Sequence, residues 1–251
     1  FLCMKSYDTV WATHFILPYL KATGIIISAQ NAMNDELIAP IVGFSREMGC
    51  VVTLSAGLYE PGHATRTSSA KKQAFNVGEL SGMATQRAKV LAEMLSVIGD
   101  TKVTTNLWGE RWSKLTVNSM ANPVAAVTGL GSAEVRQTAG VVELLIKIAG
   151  EVVRVGDALG IEVEPIAGIP AVDYARAEDA EVMEDVKSRL AEWANQVGGG
   201  RPSMLQDVLK GRRTEIDYLN GYVARRGKEV GVATPLNEAI TRLVKQVERG
   251  D

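Results

Sequence analysis

At 251 residues the chain is long enough for one large domain or two smaller ones, and 46% hydrophobic with 22% charged residues is an ordinary globular composition. A net charge of −2 gives no basic excess that would favour nucleic acid, and no apolar run has the length of a membrane span. Cys3 and Cys50 lie in apolar, strand-like stretches and are expected as buried free thiols in a reducing cytoplasm, while His14 and His63 have no metal-ligand spacing around them.

Residues 1–105 alternate between strand and helix. "FLCMK" at the start reads as a buried strand already under way, so the chain is expected to continue a sheet begun upstream. "SYDTVWATHFILPYLKAT" is a helix opened by Ser6 and Asp8 and closed near Gly24. "GIIIS" follows as a strand, "NDELIAPIVGFSREMG" as a helix and "CVVTLSAG" as a third strand. Short apolar runs separated by helices predict parallel βαβ units. "GHATRTS" and "KQAFNVG" are expected to form an antiparallel pair at the edge, before a helix over 83–98 and a strand around "KVTTN".

From Trp108 the pattern is helical, with the boundary near Asn106. A long apolar periodicity runs over Ala139 to Gly160, with Gly160 as its stop, and a charged helix spans Tyr174 to Val197 before the "GGG" loop at 198–200. "TEIDYLNGYVARRGKEV" and "PLNEAITRLVKQVE" are the last helices, the latter with Thr234 as cap and Pro235 in its first turn. The fold class is therefore α/β: a partial Rossmann-type parallel sheet over 1–105, then an all-helical domain over 106–251.

Within the first helical stretch, "WSKLTVNSMANP" spaces Lys114, Asn118 and Asn122 at intervals of four. Each four-residue step turns a helix by only about 40°, so the three polar heads form one stripe. Val117, Met120, Ala121 and Val124 fall mainly on the opposite, core-facing side. Taken alone, such a stripe is more often a solvated helix face. Two details favour a site. Asn is a poor helix former, and Pro123 removes the backbone donor that would reach Ser119, predicting a kink beside Asn122.

No G-x-G-x-x-G follows a strand; "GLGSAE" at 129–134 follows a helix and reads as a loop. A second polar cluster lies in "RPSMLQDVLKGRRTEIDYLNG", where Ser203 is expected to cap a short turn. There Thr214 is expected to cap a helix with Glu215 in its first turn. A carboxylate so placed is more often structural than catalytic. Asn31 follows the "GIIIS" strand at its carboxyl end, where open α/β sheets bind ligands, although an Asn there is a turn residue as often as a ligand.

Taken together, "MKSYDT", "QNAMNDE", "EPGHA", "GERWSKLTVNSMANP", "PSMLQDVLKGRRTEIDYLNG" and "GVATPLNEAI" resemble the ketopantoate reductases, NADPH-dependent 2-dehydropantoate 2-reductases of pantothenate synthesis, along the whole chain. The resemblance implies Lys114 as general acid, and Asn118, Asn122 and Ser203 as ligands of a small 2-keto acid. It implies Glu215 as a carboxylate that orients the site on its cofactor side, and Lys5 and Asn31 as positions along the NADPH path. It also allows a homodimer through the helical half. The sequence departs from the family where Ala32 replaces the usual glycine, and where Ser132 is the only polar residue near an expected further substrate contact. The family's glycine-rich fingerprint, and the residue separating NADPH from NADH, are expected before Phe1. Two other readings stay open: reduction of a different 2-keto acid, and a non-catalytic protein that binds cofactor or partners.

Overall fold

The computed structural model describes residues 1–69, 72–138, 140–196 and 200–250. The chain divides into two compact units, Phe1–Arg111 and Trp112–Asp251, so the division falls a few residues beyond the expected boundary near Asn106.

In the first unit, a single turn at Ser6–Asp8 leads into α1 (Thr9–Ile16). Strand β1 (Ile26–Ser28), α2 (Asp35–Val42) and β2 (Glu47–Val52) follow, then the hairpin of β3 (Ala56–Glu60) and β4 (His63–Arg66). The unit continues with β5 (Phe75–Glu79), α3 (Gln86–Ser96), β6 (Thr101–Val103) and the first turns of α4 (Leu107–Thr128). The main sheet has the order β1-β2-β5-β6. β1–β2 and β5–β6 are parallel, but β2–β5 is antiparallel, because the β3–β4 hairpin returns the chain beside β2. The expected partnership of "GHATRTS" with "KQAFNVG" is therefore not formed: His63–Arg66 pairs with Ala56–Glu60, and Phe75–Glu79 pairs with β2. The expected first strand is reduced to a bridge between Leu2 and Ser28, and Cys3 is exposed rather than buried.

Both sheet faces are covered, which is why its strands are near-continuous apolar runs. Ile27, Met48, Cys50, Phe75 and Val77 pack with Ala88, Leu91 and Leu95 of α3. Leu2, Ala12, Ile26, Ile38 and Val42 form a second core from α1, α2 and β1. Gly49 is required by close approach, since a Cβ there would lie 2.5 Å from the side chain of Leu107.

The second unit contains the rest of α4, then α5 (Ser132–Gln137), α6 (Val141–Ala158), α7 (Ala171–Ala175) and α8 (Ala180–Gln196). α9 (Ser203–Leu209), a turn at Ile216–Tyr218, α10 (Asn220–Val230) and α11 (Pro235–Arg249) complete it. α6 is the central element, with Leu145, Ile146, Ile148, Ala149, Val152 and Val153 all buried. The indole of Trp112 is fully buried against it and donates from Nε1 to the Val152 carbonyl at 2.9 Å. The single charged helix expected over 174–197 is two helices, α7 and α8, and Ala139, Val197, Gly198 and Gly199 lie outside the described residues. No helix among the described residues is long and apolar enough to cross a membrane.

Candidate active site

α4 carries the polar stripe. Its opposite face buries Met120 and Val124 in the core of the helical unit, with Val117 and Ala121 packed against them. That anchoring fixes which way Lys114, Asn118 and Asn122 point. Asn118 is buried, and Lys114 and Asn122 are half-buried. Lys114 makes no hydrogen bond or ion pair among the described residues, and desolvation pushes its pKa below the ordinary lysine value of 10.5. A desolvated ammonium without a counter-charge is costly for the fold and useful for chemistry, since it attracts an anion or surrenders its proton readily.

Pro123 does not end the helix, which continues to Thr128. The Ser119 carbonyl, deprived of its intrahelical donor, accepts instead from Asn220 Nδ2 at 2.9 Å. Asn220 opens α10, and the segment just before it carries Glu215, which is buried. The structure thus brings Glu215 and the amide stripe into one neighbourhood within the helical unit. The hydroxyl of Thr214 accepts from the Ile216 N–H at 3.2 Å, as expected of a cap, but what it opens is a single turn at Ile216–Tyr218, and α10 begins only at Asn220. Ser203 is the exposed first residue of α9 and makes no capping bond, contrary to its expected local role. Ser132 begins α5, and its N–H donates to the Gly200 carbonyl at 2.8 Å.

Lys5 and Asn31 belong to the sheet unit, and a buried polar network joins their two loops. Gln30 Nε2 donates to the Met4 carbonyl at 2.9 Å and to Thr9 Oγ1 at 2.8 Å. Thr9 Oγ1 donates to Asn34 Oδ1 at 2.8 Å, and Asn34 Nδ2 donates to Ser6 Oγ at 3.0 Å and to the Asn31 carbonyl at 2.6 Å. Side chains that look like turn and cap residues in the sequence therefore lock "MKSYDT" to "QNAMND". Beside Asn31, Ala32 has φ +65°, the left-handed region that glycine enters without strain, which is a physical reason for the glycine the resemblance leads one to expect.

Sequence reasoning missed one buried cluster altogether. Arg111 is 3% exposed and pairs with Asp35 through Nε–Oδ2 at 2.8 Å and Nη2–Oδ1 at 2.9 Å. It also donates to the carbonyls of Ser28 and Gln30, each at 2.8 Å. Glu47, fully buried nearby, has its pKa pushed up to about 9 by desolvation and then by Asp35, against the opposing pull of Arg111. One signal was available: Arg111 lies four residues from both Leu107 and Leu115, in line with a buried stripe.

A Rossmann-like α/β unit followed by a helical unit with a desolvated lysine defines a two-part oxidoreductase. Within that class the chain belongs to the ketopantoate reductase PanE/ApbA family. Residues 1–82 match Ketopantoate reductase PanE/ApbA, and residues 106–248 match Ketopantoate reductase PanE/ApbA C terminal. It is 27% identical over 252 residues to the 2-dehydropantoate 2-reductase of Archaeoglobus fulgidus, spanning 100% of this chain and 76% of that protein. It is 30% identical over 249 residues to the enzyme of the same name from Pyrococcus horikoshii, spanning 98% of this chain and 74% of the relative. Among solved structures, a PanE/ApbA family ketopantoate reductase from Ralstonia eutropha superposes with a TM-score of 0.78 at 25% identity, covering 99% of this chain and 74% of that one. A complex of D-mandelate dehydrogenase with NADH superposes with a TM-score of 0.80 at 25% identity, covering 98% and 77%.

Proposed function

We propose that this protein reduces 2-dehydropantoate to pantoate with NADPH, the sheet unit holding the dinucleotide and the helical unit the keto acid. The observation that carries the reading is Lys114: an ammonium with its pKa lowered by burial, with no partner among the described residues, in a ladder with Asn118 and Asn122. The curated relatives, named 2-dehydropantoate 2-reductases, support the substrate.

When bound, the reduced nicotinamide supplies the hydride. Lys114 donates its proton to the keto oxygen as negative charge develops there, and its charge stabilises that oxygen beforehand. A depressed pKa suits this role, because the proton leaves more easily than from an exposed lysine. Asn118, Asn122 and Ser203 offer amide and hydroxyl donors to the substrate carboxylate and hydroxyl without adding charge. An anionic keto acid also supplies a counter-charge that no described residue gives Lys114. Glu215 orients the site on the cofactor side, and Lys5 and Asn31 lie along the dinucleotide path.

The test is oxidation of NADPH and of NADH with ketopantoate, other branched 2-keto acids and the 2-keto acid corresponding to mandelate. Ketopantoate with NADPH is expected to give the highest kcat/KM, and Lys114→Ala is expected to lower kcat by about 10²–10⁴-fold. The alkaline limb of the rate profile, set by loss of the Lys114 proton, is expected below pH 10.5. Near-normal turnover in Lys114→Ala would overturn the assignment of the acid. The D-mandelate dehydrogenase neighbour gives one specific second reading, an aromatic 2-keto acid with NADH, and the same panel decides between them.

A further inference from the structure

We propose that Asn220 is a positioning residue for keto-acid binding, the far end of a buried relay that holds the Pro123 turn of α4 in its working shape. The proposal rests on the reading of Asn118 and Asn122 as substrate ligands. Asn220 is fully buried and bonded to Ser119 and Asn237, so its part is to position other groups.

The argument starts from proline chemistry. Pro123 has no N–H, so the Ser119 carbonyl one turn earlier has no donor along the helix. Ser119 is fully buried, so water does not replace that donor. The carbonyl belongs to the very turn that carries the stripe, with Asn118 immediately before it and Asn122 immediately before the proline. Asn220 Nδ2, fully buried at the start of α10, supplies the bond at 2.9 Å.

A carboxylate fixes the direction of the relay. Glu151, buried on α6, accepts from the backbone N–H groups of Leu236 and Asn237, each at 2.9 Å, and from Asn237 Nδ2 at 2.7 Å. An ionised carboxylate only accepts, so the Asn237 amide must turn its nitrogen toward Glu151 and its oxygen away. That oxygen then requires a donor, and Asn220 Nδ2 provides it at 2.9 Å. Asn220 is thereby held nitrogen-first against both Asn237 and Ser119, and among the described residues nothing donates to its Oδ1. One buried nitrogen donating twice ties the Ser119 carbonyl to Asn237 and, through it, to Glu151. The same contact fixes α10 and the turn carrying Glu215 beside the stripe, because Tyr218 and Leu219 donate back to the Glu215 carbonyl at 2.9 and 3.1 Å.

The test is a cycle on the full protein with Asn220→Leu, Pro123→Ala and the double variant, read by steady-state kinetics and by thermal unfolding. Leucine keeps the heavy-atom number and branching and removes both donations. Asn220→Leu is expected to raise KM for the keto acid at least tenfold while KM for the dinucleotide stays within twofold, a split that general loosening of the fold would not give. Pro123→Ala restores an N–H aimed at the Ser119 carbonyl. The double variant is therefore expected to recover most of the lost keto-acid affinity and part of the lost melting temperature. A double variant no better than Asn220→Leu in both readouts would overturn the relay, as would equal rises in both KM values. If the wild-type protein reduces no 2-keto acid, the proposed function fails first, and the melting-temperature cycle still decides whether Asn220 and the residue 123 N–H serve the same carbonyl.

Discussion

Ala32 shows how several small terms decide one position. Its left-handed φ of +65° costs an L-residue roughly 1–2 kcal/mol. Glycine would remove that strain but lose a buried methyl worth about 0.8 kcal/mol, and would loosen the unfolded chain by about 0.4–1 kcal/mol. The terms nearly cancel, so Ala32→Gly is expected to change stability in urea unfolding by less than about 1 kcal/mol. A gain well above that would mean the methyl contributes nothing. Glu47 is governed by one large term instead. Its folded pKa of about 9 lies above the ordinary 4.5, so its contribution to stability is fully present below pH 4.5 and is lost as the pH rises through about 9. Relative to Glu47→Gln, which does not titrate, the wild-type protein is expected to weaken steadily between pH 5 and pH 9. Unfolding midpoints that move in parallel for the two proteins would show that Glu47 is not held protonated. The sequence displayed Asn31 and its missing glycine openly. It concealed Glu47, because a carboxyl at a strand start looks like surface until the neighbours that desolvate it are in place.

At the scale of elements, periodicity located nearly every helix, and tertiary contacts decided how each one ends. α11 illustrates this. Thr234 and Pro235 mark its start in the sequence, yet Thr234 makes no capping bond with its side chain, and Glu151 from α6 takes the first free N–H groups. Nothing in the spacing around residue 235 announces a cap from another helix. A carboxylate facing a helix N-terminus gains from the dipole as well as from charge-assisted bonds. Glu151→Gln keeps the shape but turns an amide donor toward those N–H groups, and is expected to cost about 2–4 kcal/mol in chemical denaturation. A loss below about 1 kcal/mol would place the cap elsewhere. The hairpin of β3 and β4 failed in the sequence reading for a similar reason. Alternation identified extended segments but not their partners, and the turn at Gly62, with φ +79°, selected the nearer one.

For the whole molecule, each unit has its own apolar core, and burial is uneven within each. α6 presents buried side chains almost all round, and β2 and β5 are buried along nearly their whole length, whereas the β3–β4 hairpin is largely exposed. Amide hydrogen exchange is therefore expected to be slowest in α6, β2 and β5 and fastest in the hairpin. Rapid exchange across α6 would contradict its place at the centre of the helical unit. The pairing of Pro123 with Asn220 also bears on how sequences of this kind can drift. A proline inside a buried helix is tolerated only while a distant amide answers the carbonyl it orphans, and that amide keeps its direction only through Asn237 and Glu151. Relatives that keep proline at this turn should retain an amide donor where Asn220 stands, and the two positions should be lost together rather than one at a time.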